Sequence, residues 1–208
     1  MSRAFDVIGT RYGEAFADKP GQVEAGRWVI DHLRGQRVVL DVGCGSGLPT
    51  ARQLTAAGCE VVGVDTSPVM LDLARKNVPG AIFVEREMHD LNGLHPRQGR
   101  FDGAVAFFSL LMLDRAGIGK ALDAIRGVLA AEAVFALGMV EGDSDYLLRE
   151  FLGVQVPLTA YPREELSAVL SHHGFTVQEL HAESATLSTS DTPEQVHLYV
   201  YCTATPVM

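Results

Sequence analysis

The chain has 208 residues, of which 47% are apolar, 21% charged and 7% aromatic. These are globular proportions that exclude disorder, collagen and mucin-like stalks, and the length suits one domain burying about 70% of its unfolded surface without a metal or disulfide staple. Lys and Arg number 17 against 26 Asp and Glu, a net charge of −9 with no basic run, so a phosphate backbone is repelled and no nucleic-acid partner is expected.

Taken in chain order, residues 1–34 read as two helices. Phe5, Ile8, Tyr12 and Phe16 recur at helical spacing and make one apolar face. Asp18-Lys19-Pro20-Gly21 breaks that pattern, and Val23, Trp28, Val29 and Leu33 suggest a second helix. The chain then alternates. Arg37–Val42 is a short apolar strand, Leu48–Ala57 looks helical, and Glu60–Asp65 is a strand. Ser67-Pro68 is a cap and first-turn pair opening a helix to about Asn77. Ala81–Glu85 and Phe101–Phe108 are strands, and a helix from about Asp114 to Ala131 precedes a strand at Val134–Val140. Residues 141–161 interrupt the alternation. A helix begins at Tyr161-Pro162-Arg163 and ends at His173-Gly174, a C-cap glycine, and Phe175–Leu180 and Val196–Thr203 are the last strands. Alternating strands and helices imply βαβ units and a mostly parallel sheet. The early strands are almost continuously apolar, as strands covered on both faces should be. The last, VHLYVYC, alternates and reads as an antiparallel edge strand.

Three cysteines, Cys44, Cys59 and Cys202, form no C-x-x-C pair, so zinc and thioredoxin-like chemistry lack support. Such a sparse, odd set suits a reducing compartment. No run reaches ~18 apolar residues, and the opening MSRAFDVIGTRYGEAF has no apolar core of a signal peptide. A cytoplasmic protein with no membrane partner is expected.

The informative stretch is VVLDVGCGSGLP, Val38–Pro49. A strand runs into Asp41, and Gly43, Cys44, Gly45, Ser46 and Gly47 lead into a helix. Glycines let the backbone turn sharply and approach a ligand closely. In an open parallel sheet, ligands bind beyond the carboxyl ends of the strands, where this loop lies. The dinucleotide fingerprint would need Gly or Ala at position 48, which is Leu48. An acidic Asp41 ahead of the glycines is awkward beside a pyrophosphate and suits a ligand with positive groups, such as an amino-acid moiety and a sulfonium. Asp65 ends the second strand, 18 residues after Gly47, where a carboxylate can accept from both ribose hydroxyls; capping the next helix is the alternative. Glu85–Leu91 follows the third strand, and a carboxylate and backbone N–H there could read an adenine edge.

On these residues the chain resembles the class I S-adenosylmethionine-dependent methyltransferases. VVLDVGCGSG is similar to the first motif of that family, VVGVDTSPVMLDLAR to its second strand and helix, VEREMHDL to its acidic third loop, and FDGAVAFFSLLML to its fourth strand and following loop. The resemblance implies a Rossmann-like α/β fold: a doubly wound seven-stranded sheet of order 3-2-1-4-5-7-6, with the last strand antiparallel. It implies a helical lid region over residues 1–34, a cofactor-binding core over 35–140, and a substrate-side segment with the final strands over 141–208. It further implies S-adenosylmethionine as cofactor, held by Tyr12, Asp41, Gly43, Cys44, Gly45, Gly47, Leu48, Asp65, Thr66, Met70, Glu87, Met88 and Phe107. Phe16, Phe108, Ser109, Met112, Tyr146 and Tyr161 are the expected wall for a small-molecule acceptor, with Phe151 nearby. Glu87 departs from the Asp usual in this loop, and Met112 stands where many relatives carry a His. Of the seven histidines, His32, His89, His95, His172, His173, His181 and His197, none has the i, i+4 partner of a metal site and none is singled out as a base. Methyl transfer is the expected activity, ahead of another reaction on the same fold, a non-catalytic binding subunit, or a dehydrogenase.

Overall fold

The computed structural model describes residues 2–9, 11, 19–185 and 195–205. Helices α1 (Ser2–Ile8) and α2 (Pro20–His32) precede β1 (Val38–Val42). Next come α3 (Thr50–Ala56), β2 (Glu60–Asp65), α4 (Pro68–Asn77), β3 (Ile82–Glu85) and β4 (Phe101–Phe107). A 3-10 turn at Leu110–Met112 leads into α5 (Arg115–Val128) and β5 (Leu129–Val140). The chain ends with β6 (Ser144–Phe151), β7 (Val154–Ala160), α6 (Arg163–His172), β8 (Phe175–Ala185) and β9 (Gln195–Ala204).

Among the described residues, seven strands form one sheet in the order β3-β2-β1-β4-β5-β9-β8, and β6 and β7 form a separate two-stranded sheet. Counting the sheet's own strands, this is the expected 3-2-1-4-5-7-6. β1 to β5 pair in parallel, and β9 runs antiparallel to both β5 and β8. The edge-strand reading of VHLYVYC is corrected: β9 is interior, and β8 is the edge. The alternation of β9 has a different cause. Leu198, Val200 and Cys202 join one face of the core, and Tyr199 and Tyr201 join the other.

The sheet is covered on both sides, as its apolar strands require. Ile118, Leu122 and Ile125 of α5 and Leu166 and Leu170 of α6 pack with Val38, Leu40 and Val42 on one face. Ala25 and Val29 of α2, Leu54 of α3, and Leu71 and Ala74 of α4 pack with Val39 and Val105 on the other. Each fully buried Val, Leu or Ile contributes roughly 1.5–3 kcal/mol, so these two faces carry the fold. Among the described residues no helix is long and apolar enough to cross a membrane.

Local signals set several element ends. The Ser67 hydroxyl accepts from Met70 N at 3.2 Å, with Pro68 in the first turn of α4. Asp114 caps α5, accepting from Gly117 N at 2.6 Å. The third helix starts later than expected, at Thr50, because Gly47 holds a left-handed φ of 76° and Pro49 lacks an N–H. Residues 141–161, expected to interrupt the alternation, hold the β6–β7 hairpin. Its turn at Leu152-Gly153 has φ of 51° and 75°, the left-handed pair that a two-residue hairpin loop needs.

Candidate cofactor and acceptor site

Parallel pairing brings the carboxyl ends of β1, β2, β3 and β4 to one rim of the sheet. The loop after β1 is fixed there by its own backbone. Gly43 N and Cys44 N both donate to Val64 O, at 2.8 and 2.9 Å, and Gly47 N donates to Cys44 O at 2.9 Å. Gly43 has φ of 73°, and a Cβ there would lie 2.2 Å from Ser109 Cβ and 3.3 Å from Met88 Cε. Only glycine fits that backbone and that gap. The loops after β1, β3 and β4 therefore meet at one point. The Ser109 hydroxyl donates to Val42 O at 2.6 Å and ties β4 to β1.

Asp65 closes the second side. Its Oδ2 accepts from Gly45 N and its Oδ1 from Ser67 N, both at 2.9 Å. Each carboxylate oxygen can accept more than one hydrogen bond, which leaves room for ribose hydroxyls. Helix capping belongs to Ser67. Burial raises the Asp65 carboxyl above its usual range, and the backbone N–H groups of Ser67, Gly45 and Thr66 oppose that rise. Asp41, 3% exposed at the end of β1, has no hydrogen-bond partner for its Oδ2. Desolvation, then the charge of Asp65, pushes its carboxyl up to about 7. A buried, unpaired acid beside a second acid is costly unless a positive group comes to it. The residues thus fit a ligand with an ammonium and a sulfonium: Asp41 would meet positive charge, and Asp65 the ribose.

Of the other residues expected to hold the cofactor, Cys44 and Met70 are buried, Leu48 and Thr66 half-buried, and Phe107 lies in the core at the end of β4. Burial and the two aspartates push the Cys44 thiol well up, so it is an inert packing group. Met88 is half-buried against the glycine loop, while Glu87 is exposed and its carbonyl accepts from Asp90 N at 3.0 Å. Tyr12 and Phe16 lie outside the described residues. The helix before them docks near the site: Ile8 is 1% exposed, and the Asp6 carboxylate accepts from the Ser67 hydroxyl at 2.5 Å.

The expected acceptor wall is only partly assembled. Phe108 stands at the end of β4 with φ of 56°, held by a bond from its N–H to Gly138 O at 2.9 Å. Met112 is half-buried in the 3-10 turn. The hydroxyl of Ser109 is committed to Val42. Tyr161 is 2% exposed with the Arg115 guanidinium 4.7 Å over its ring, so it packs rather than lines a cleft. Tyr146 is 47% exposed on the hairpin, and Phe151 is half-buried near the turn. A shallow surface depression between the loop after β3 and α5, lined by His89, Lys120 and Asp123, is separate from this rim. Two residues not expected at the rim stand there: His197 and Tyr199. Their rings lie 4.5 and 5.7 Å from Phe108. The strand order places the start of the last strand against the end of the fifth, so topology held the signal that composition lacked.

The family model described as a methyltransferase domain matches residues 39–132. An uncharacterised methyltransferase of Synechocystis sp. is 33% identical over 153 residues, 71% of this chain and 70% of that protein. The magnesium-protoporphyrin O-methyltransferase of Rhodobacter capsulatus is 31% identical over 153 residues, 73% of this chain; the match spans 64% of that relative's length. A Burkholderia thailandensis 1,6-didemethyltoxoflavin-N1-methyltransferase, crystallised with S-adenosylhomocysteine, superposes with a TM-score of 0.74 over 99% of this chain and 87% of its own, at 22% identity. The two chains thus share a fold. The chain belongs to the class I S-adenosylmethionine-dependent methyltransferases, whose cofactor is S-adenosylmethionine.

Proposed function

We propose that this protein moves a methyl group from S-adenosylmethionine to a small organic acceptor by direct displacement. The observation that carries the reading is Asp41: a buried carboxylate with an unpaired oxygen, ahead of a pinned glycine loop and beside Asp65. The cofactor supplies the reactive methyl. The chain's part is alignment, and holding the acceptor in line can contribute on the order of 7–11 kcal/mol. The acceptor enters between Phe108 and the α1 side. The aromatic groups there and the net charge of −9 favour a small, flat, uncharged molecule over a nucleic acid. The magnesium-protoporphyrin relative, which acts on a flat macrocycle, is consistent with that shape. Three buried, unpaired cysteines support a reducing, cytoplasmic setting.

Thermal unfolding with S-adenosylhomocysteine at about 100 times its Kd should raise Tm by roughly 5–11 °C. NADH should leave Tm unchanged. A rise with NADH and none with S-adenosylhomocysteine would overturn the reading. Mass spectrometry of the product separates methyl transfer, which adds one methylene, from cyclisation or decarboxylation on the same fold.

A further inference from the structure

In the loop after β4, the Ser109 hydroxyl is committed to Val42 O and the 3-10 turn Leu110-Leu111-Met112 carries no group that can take a proton. The structure brings one from elsewhere. β9 runs antiparallel, so its first residues, rather than its last, reach the carboxyl rim. His197 pairs with Val140, the final residue of β5. Its ring lies 4.5 Å from that of Phe108, tilted by 51°. Phe108 is itself held in a left-handed backbone that disfavours bulky side chains, at a cost of about 1–3 kcal/mol. That strain keeps an aromatic face beside an imidazole at the mouth of the site. None of the described residues hydrogen-bonds the His197 ring, which is half-buried.

We propose that His197 is the general base of this site, taking a proton from a hydroxyl on a flat aromatic acceptor held against Phe108. The proposal rests on the methyl-transfer reading. The acceptor O–H bond breaks and its proton passes to the free imidazole nitrogen. The oxygen lone pair forms the new O–CH3 bond, and the S–CH3 pair returns to sulfur, leaving S-adenosylhomocysteine and an imidazolium. For this the imidazole must start neutral. Burial holds its pKa below the ordinary 6.5. The titratable groups on the packed elements are Glu183 opposite it and His181 on β8, Tyr199 on β9, Glu141 past β5 and Lys19 at the head of α2. Glu141 is already matched by Arg163 at 2.6 Å through both oxygens.

The test uses phenol as acceptor, whose hydroxyl ionises only at about pH 10, with the intact protein. In wild type, kcat/KM should rise with pH through a midpoint below 6.5 and then level. In His197→Gln that limb should vanish and kcat should fall by roughly 10²–10⁴-fold, with S-adenosylhomocysteine affinity by calorimetry unchanged. A readout independent of turnover is the His197 ring proton in NMR of wild type, which also serves if the variant does not fold. It should titrate below 6.5, and it should shift when phenol joins the S-adenosylhomocysteine complex. An unshifted His197 resonance, or an unchanged pH profile in the variant, overturns the proposal while leaving the methyl-transfer reading intact. Failure of wild type to bind S-adenosylhomocysteine overturns that reading instead.

Discussion

On the β1–β2 side of the rim, main-chain groups set the loop, Gly43 N and Cys44 N on Val64 O, and the Asp65 carboxylate holds it through Gly45 N. On the β5–β9 side the groups are side chains, Phe108, His197 and Tyr199, drawn from two strands far apart in the chain. A backbone cradle tolerates almost no substitution at its glycines but accepts varied side chains around them. A side-chain wall is the reverse. One fold can therefore keep its cofactor and change its acceptor by altering the second side alone.

The sharpest way to break the comparison is Gly43→Ala. The new Cβ meets Ser109 Cβ at 2.2 Å in a left-handed backbone. The clash should cost about 1–3 kcal/mol and the backbone a further ~1–2 kcal/mol. Tm should fall by several degrees, about 2–4 °C per kcal/mol, with S-adenosylhomocysteine binding lost. A normal Tm and Kd would mean that the cradle is as tolerant as the wall.

Asp65→Ala comes next. Removing the acceptor leaves the N–H groups of Gly45 and Ser67 unpaired as well as the ribose hydroxyls. The cost of about 1.5–3 kcal/mol corresponds to roughly a 10- to 150-fold weaker Kd, measured by calorimetry. An unchanged Kd would confine Asp65 to holding its loop.

Asp41→Asn sharpens the electrostatic side. The Asp41 carboxyl titrates near 7 when folded, against 3.8 as its ordinary value. A raised folded pKa means that the native state binds the extra proton. Asp41 therefore stabilises the ligand-free protein most at low pH, and that contribution is lost as pH rises from about 4 to about 7. Denaturant melts of the Asn variant should lose this slope, an effect of order 1 kcal/mol or more. The same variant should weaken S-adenosylmethionine, which carries the sulfonium charge, more than S-adenosylhomocysteine. Equal weakening of the two would detach Asp41 from the sulfonium.

The smallest effect belongs to α1. Asp6→Ala removes one hydrogen bond to Ser67, worth about 0.5–1.5 kcal/mol. Amide exchange over residues 2–8 should quicken in the free protein and slow again with S-adenosylhomocysteine, as expected of a lid. Equal protection with and without ligand would make α1 an ordinary packed helix.

The contrast also explains what was legible beforehand. The cradle is contiguous: Asp41, Gly43, Gly45 and Gly47 occupy one turn, Asp65 ends the next strand, and Ser67-Pro68 announces the helix after it. Local rules suffice for each. The wall is assembled by topology. His197 reaches Phe108 only because β9 is inserted beside β5 and runs backwards, which no local pattern around His197 states. The hairpin escaped because its alternation is interrupted by a register shift between Ser144 and Leu147, with Tyr146 at a left-handed φ of 56°. Tyr161 was misplaced for a similar reason: its partner Arg115 lies 46 positions away.

The hairpin has one further consequence. β6 and β7 pair with each other and hold no place in the main sheet, so their length is uncoupled from its register. Residues added at the Leu152-Gly153 turn would lengthen the hairpin without displacing any strand of the main sheet. Each doubling of such a loop costs only about 0.6 kcal/mol of closure entropy. The fold thus has a place where insertion can add surface without changing the register of the main sheet.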